Sequence, residues 1–196
     1  QKAGDVELAF YIYVVDDRNH LVGVLSLRQL LLHRPESRLG TLMNTDLISV
    51  RTDTDQVKRA QEGMLELLLA NHPLDCPVCD KGGECPLQNQ AMLDGPGQSR
   101  YIEEKRHKAK RLPLGDLIVI DQERCVLCWR CIRFLDEWAG NHQLDLFGRG
   151  ASTRLETFPD RPLTSKWQGN TIDICPVGAL TSRIFRFEAR VWEWTE

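Results

Sequence analysis

The rhythm of apolar positions changes three times along this chain. Aromatic and β-branched residues dominate from Leu8 to Val15, the polar run Asp16-Asp17-Arg18-Asn19-His20 follows, and Leu21 to Ser26 turns apolar again. That order predicts a β-hairpin. Leu27 to His33 reads as a short helix, and after a loop around Pro35 and Gly40 the stretch Leu47 to Arg51 reads as a further strand. Thr52 to Asp55 are polar residues suited to a helix start. Val57, Ala60, Met64 and Leu68 then recur at three and four residues, predicting a helix from about Asp55 to Ala70 that buries this stripe and leaves Lys58, Arg59 and Glu62 in water.

Pro73 cannot continue that helix and restrains His72 before it, so the imidazole stands at a forced exit from the helix. The charged run Glu103 to Arg111 opens a third region, with a strand at Leu117 to Ile120 and a cysteine loop. A helix from Cys131 to Ala139, stopped by Gly140, presents Phe134, Leu135 and Trp138 as its apolar face. The texture divides the chain into residues 1–55, 56–101 and 102–196, and the fold class expected is α+β, built from small irregular domains with short strands and helices.

Composition adds chemistry to this outline. Seven cysteines stand among 196 residues, none before Cys76, and five of them fall in Cys-x2-Cys spacings. An odd number so distributed suits metal ligation better than a disulfide framework. A net charge of −3 gives no field for nucleic acid along the chain. No apolar run is long enough for a bilayer, and Gln1 to Glu7 lack the apolar segment of a secretory signal, so a soluble protein of a reducing compartment is expected. The basic residues Lys105 to Arg111 follow Glu103 and Glu104 without interleaved aromatics, which suits a solvated or subunit-docking face better than an RNA contact.

Cys125-Val-Leu-Cys128-Trp-Arg-Cys131 is the strongest motif. Three thiolates at a repeat of three can reach three corners of one cubane, and Cys175, followed by Pro176, is the natural fourth ligand. Zinc sites usually pair two Cys-x2-Cys knuckles instead. The second constellation, His72-Pro-Leu-Asp-Cys76-Pro-Val-Cys79-Asp-Lys-Gly-Gly-Glu-Cys85, offers three thiolates and one imidazole. Gly82 and Gly83 permit a tight positive-φ path there. From spacing alone a zinc ion remains open for this loop, with His72 either completing the set or facing solvent. Seven cysteines and one of five histidines make two four-ligand sets with nothing left over.

On these residues, together with Tyr101-Ile-Glu-Glu-Lys-Arg-His107 and Asn170-Thr-Ile-Asp-Ile-Cys-Pro-Val-Gly-Ala-Leu180, the chain resembles the large iron–sulfur (G) subunit of respiratory complex I, the NADH:quinone oxidoreductase, from about Val57 onward. The resemblance implies two 4Fe-4S clusters, one on His72, Cys76, Cys79 and Cys85 and the other on Cys125, Cys128, Cys131 and Cys175. It implies an electron-relay subunit that does not turn over alone. Its partners would be other subunits of a peripheral arm, including a flavin-bearing, NADH-oxidising one, at the inner face of an energy-conserving membrane without insertion into it. The same loops resemble parts of NAD-linked hydrogenases and formate dehydrogenases. A zinc-stabilised interaction module is the reading from a different class.

The family usually begins with a 2Fe-2S ferredoxin domain, and the absence of cysteine from residues 1 to 75 implies that no such cluster is held. Residues from about Val6 to Asp55, with Ala9-Phe-Tyr-Ile-Tyr-Val-Val-Asp16 and Leu21-Val-Gly-Val-Leu-Ser26, resemble instead part of a cystathionine-β-synthase-type (CBS) module of magnesium transporters. A chimera joined near Ser49 to Gln56 is the expectation that follows.

Overall fold

The computed structural model describes residues 11–34, 36–47 and 49–194. Leu8 to Phe10 of the expected first strand, Pro35 and Ile48 lie outside them. The chain falls into two compact units, Gln1–Thr54 and Asp55–Glu196.

In the first unit β1 (Tyr11–Val15) pairs antiparallel with β2 (Leu21–Ser26), Tyr11 facing Ser26 and Val14 facing Gly23. The turn is closed by Asp16, whose Oδ1 accepts from the N–H groups of Arg18 (2.9 Å) and His20 (2.8 Å) while Asn19 takes the left-handed conformation. Ser26 begins α1 (Leu27–Leu32) through a capping box: its Oγ accepts from Gln29 N at 3.2 Å and Gln29 Oε1 accepts from Ser26 N at 2.8 Å. After α2 (Leu39–Leu42), Asn44 bridges back to Val24. The strand expected over Leu47 to Arg51 is not formed by its described residues: Leu47, Ser49, Val50 and Arg51 have no strand partner, and Val50 is exposed. Strand propensity without a neighbouring edge leaves backbone groups to water.

The second unit opens with α3 (Asp55–Ala70), within the expected bounds. Its buried face is displaced from the expected stripe. Leu65 and Leu69 pack into the core, whereas Met64 and Leu68 are exposed. Leucines at 65, 67, 68 and 69 satisfy helical periodicity in two registers, and packing against α4 (Pro86–Asp94) selects one. A three-stranded antiparallel sheet is completed from distant parts of the chain. It contains β3 (Leu112–Pro113) and β4 (Ile118–Ile120), with a final strand at Leu180–Ser182, and β4 is central.

Between β4 and that last strand come α5 (Arg130–Arg133), a π-helical turn at Phe134–Trp138, β5 (Leu144–Phe147) paired with β6 (Arg154–Thr157), α6 (Asn170–Ile174) and then β7 (Leu180–Ser182) itself. The π turn corrects the expected apolar face. Ala139 N donates to Phe134 O at 3.0 Å, and the added residue swings Trp138 to 76% exposure while Leu135 stays in the core. Ile118, Ile120, Leu163, Leu180 and Val177 pack the centre, each at 1% exposure or less. Among the described residues no helix is long and apolar enough to cross a membrane.

Candidate metal centres

The loop after β4 cannot run as regular helix. Leu127 (φ 54°) and Trp129 (φ 65°) both take the left-handed region, on either side of Cys128, before α5 begins. For residues with a Cβ this conformation costs about 1–2 kcal/mol each, and it folds the loop around its own thiols. Cys125, Cys128, Cys131 and Cys175 line one concavity of about 380 Å³, together with Ile132, Leu146, Leu155 and Val177. Trp129, half exposed, is part of this wall and not of the core.

The thiols feel one another. Burial pushes Cys131 up to about 12, with Cys175, Cys125 and Cys128 adding like charge. Cys125 is pushed up to about 11 by burial and by the charges of Cys175 and Cys128, against one hydrogen bond from Leu127 N–H. Burial raises Cys175 as well, countered by backbone N–H groups of Val177, Leu180 and Ala179 that point at its sulfur. Four crowded thiols are poor anions alone and good ones around cations.

The other loop starts where α3 ends at Ala70, as Pro73 requires. A single 3₁₀ turn, Cys76–Val78, is followed by Cys79, whose carbonyl accepts from Gly82 N at 3.0 Å. The two glycines divide the expected role. Gly83 has φ 98°, and Gly82 lets the backbone approach Cys76 O, which a Cβ would meet at 2.8 Å. Cys85 is the N-cap of α4, with Pro86 at the first helical position. Burial raises its pKa, the N–H groups of Gln88 and Leu87 oppose this, and the charges of Cys79 and Cys76 add to it. Cys76, Cys79 and Cys85 are thereby gathered.

His72 is placed differently. Its ring lines a separate concavity of about 670 Å³, shared with Cys125, Val126 and Leu127. Its Nδ1 is buried without a hydrogen-bond partner. Burial, then the charges of Arg124 and Lys105, lower its pKa, so the ring is neutral, the form that ligates metal. Among the described residues no three His, Cys, Asp or Glu side chains converge tightly enough for one bare metal ion. The thiols border a volume and not a point.

The basic run is not a free face. Lys105 Nζ donates to Leu69 O (2.7 Å) and Ala70 O (3.0 Å), holding the C-terminus of α3 just before His72. Lys108 Nζ donates to Thr153 O at 2.6 Å, and Lys110 Nζ reaches Asp75 and Glu123, both at 2.7 Å. Arg124, only 4% exposed, also donates to Asp75. Burial disfavours the Asp75 charge, but the bonds from Lys110 and Arg124 outweigh it and hold the carboxyl below the usual range. Sequence reading missed Asp75 and Arg124, although each immediately precedes a cysteine of a different loop.

Known proteins share this arrangement. Residues 61–100 match the family described as the NADH-ubiquinone oxidoreductase-G iron–sulfur binding region, and residues 115–181 match the ferredoxin-like domain of NADH-quinone oxidoreductase subunit 3. Both segments are thus similar to parts of NADH-quinone oxidoreductase subunits. The G subunit of NADH-quinone oxidoreductase from Mycobacterium bovis is 50% identical over 155 residues, covering 78% of this chain and 19% of that protein. The mitochondrial NADH dehydrogenase [ubiquinone] iron–sulfur protein 1 of Solanum tuberosum is 49% identical over 146 residues, 74% of this chain and 20% of that one. The chain thus spans about a fifth of the length of these relatives. A match over 78% of the chain is longer than residues 57–196 can hold, so the likeness to the mycobacterial protein extends N-terminally past Val57. Among solved structures an NAD+-reducing [NiFe]-hydrogenase aligns with a TM-score of 0.62 and 27% identity, over 76% of this chain and 65% of that one.

Proposed function

We propose that this chain relays single electrons through two 4Fe-4S clusters, one on Cys125, Cys128, Cys131 and Cys175 and the other on His72, Cys76, Cys79 and Cys85. The observation that carries this reading is the convergence of four thiols, from a loop and from a residue some fifty positions later, on one apolar-walled concavity. The N–H groups directed at Cys175, Cys85 and Cys125 fit it, because donors to thiolate sulfur stabilise the negative charge of a cluster and tune its potential. The orphaned Nδ1 leaves His72 free to ligate, and its position in sequence shortly before Cys76 assigns it to the first set, although the residue lines a concavity with Cys125 and not with those three thiols. A bound cluster supplies one-electron redox chemistry. The chain's own contribution is to orient the ligands, exclude water with Ile132, Leu146, Leu155 and Val177, and set local charge. Neutral His72 in place of a thiolate removes one negative charge, which raises the potential of the first site relative to an all-cysteine one.

The physiological setting proposed is the peripheral arm of a complex I-type NADH:quinone oxidoreductase, beside a flavin-bearing, NADH-oxidising subunit at the inner face of the membrane, with no 2Fe-2S cluster in this chain. The alignment with a hydrogenase supports a second setting, the relay subunit of an NAD-linked hydrogenase. For the N-terminal unit the reading is a partial CBS-type segment joined to the iron–sulfur part. Its support is the hairpin running directly into α1, whereas the length of the likeness to the mycobacterial protein argues against the expected join at Ser49 to Gln56.

Anaerobic purification tests the central claim. A brown protein with about eight irons, bleached by dithionite, is expected, and Cys175→Ser should lose half of the iron. A colourless protein carrying two zinc ions would overturn it.

A further inference from the structure

The segment that follows the last cysteine returns to the other loop. Pro176 O accepts from Leu87 N at 3.5 Å and lies 3.6 Å from the Cys85 sulfur. Gly178 stands against Cys79 so closely that a Cβ added there would collide with its Sγ. Further on, Phe187 N donates to Asp80 Oδ1 at 2.9 Å. Arg190 places Nη1 2.5 Å from Cys79 O and Nη2 2.6 Å from Pro77 O, and Val191 and Trp192 cover Gly83 at the distance where a side chain would not fit.

From this we infer that residues 176–192 form a wall of the first cluster site, and that Arg190 and Gly178 are positioning residues for Cys79. The inference rests on the cluster reading above. A guanidinium offers two parallel donors in a rigid fork, which suits the carbonyls of Pro77 and Cys79, two residues apart in one turn. Held at both carbonyls, the turn cannot unwind and Cys79 keeps its direction. Lysine, a single compact charge, can satisfy one carbonyl at a time. Gly178 acts by what it lacks. In metal-free protein the Cys79 side chain can rotate away from an added methyl, whereas a sulfur fixed on iron cannot.

Iron, labile sulfide and low-temperature EPR of the reduced protein, measured on the full chain as wild type, Arg190→Ala, Arg190→Lys and Gly178→Ala, test this. Thermal unfolding of the metal-free forms is followed alongside. Arg190→Ala and Gly178→Ala should each lose about half of the iron and the EPR signal of the His72 set, while the signal of the Cys175 set and the metal-free unfolding midpoint of Gly178→Ala stay as in wild type. Arg190→Lys should fall between wild type and Arg190→Ala. Full iron with both signals unchanged in the variants would overturn the positioning role while leaving the relay reading intact. Loss of both signals together would also overturn it, since the effect would then be general. A wild type without iron would instead sink the relay reading on which the inference stands.

Discussion

Arg124 donates through Nε and Nη2 to one oxygen of Asp75, at 3.1 and 2.9 Å. The two residues sit next to Cys125 and Cys76, so one ion pair ties the two cysteine loops at their roots. Arg124 also stands 3.3 Å from Asp121 Oδ2, and Asp121 is buried. Arg124→Ala would strand buried Asp121 and leave Asp75 with Lys110 alone, a loss of about 3–5 kcal/mol for a broken buried pair. Urea unfolding of the metal-free protein measures it. Asp75→Asn, which leaves Arg124 with Asp121, should cost less, and equal costs would refute the assignment of Arg124 as the hub.

Gln122 mends a gap between sheets. Its buried amide donates to Leu155 O at 2.5 Å and accepts from Leu155 N at 3.2 Å, acting as a strand partner for β6. Gln122→Leu keeps the volume but leaves two backbone groups unpaired, at about 1–3 kcal/mol each. Hydrogen exchange at Leu155 N–H should accelerate in that variant, and unaltered protection would argue that the amide is dispensable.

Leu127 tests the strained loop. Valine there is β-branched and tolerates a left-handed backbone worse than leucine, so Leu127→Val should lower stability by about 1 kcal/mol or more, whereas Leu127→Gly should be neutral or stabilising at the backbone level. Iron bound by the Cys175 set should fall for valine only. The same loss in both variants would assign the effect to the missing leucine side chain.

Glu66 and Arg100 form a two-pronged pair at 2.7 and 2.5 Å. The bond from Arg100 holds Glu66 below its ordinary pKa. A carboxyl depressed in the folded state contributes stability above its unfolded pKa of about 4.3, and the contribution vanishes as pH falls through the folded value. Arg100→Ala should therefore unfold at lower urea than wild type at pH 7 and converge with it as the pH falls through the depressed folded-state value of Glu66. A difference that persists in acid would contradict the pairing.

Much of the local structure was legible because it is written in adjacent residues. The hairpin around Asp16-Asp17-Arg18-Asn19-His20 follows from turn chemistry, and α3 ends where Pro73 forces it. Strong periodicity with several leucines fixed the existence of α3 but not its buried side, since Leu65 and Leu68 compete and only tertiary packing decides. α4 was invisible, because Pro86-Leu-Gln-Asn-Gln-Ala-Met-Leu-Asp94 buries only Leu87 and has no apolar stripe to read. The cysteines announced themselves by spacing. Their supports did not: Lys105, Arg124, Gly178 and Arg190 act across 35 to 113 positions of sequence, where no short pattern reaches. The run Lys105 to Arg111 misled for the same reason, its partners being carbonyls and carboxylates on distant segments.

The return of Pro176 to Cys85 has a consequence for how such a chain matures. The two residues are 91 positions apart, so at a synthesis rate of about 5–20 residues per second the first loop emerges several seconds before the segment that closes it. Iron delivered during translation would meet a half-built receptacle. On the two-cluster reading, loading of the first site waits for residues 176–192 to emerge, and the three thiols of the nascent loop stay open until then.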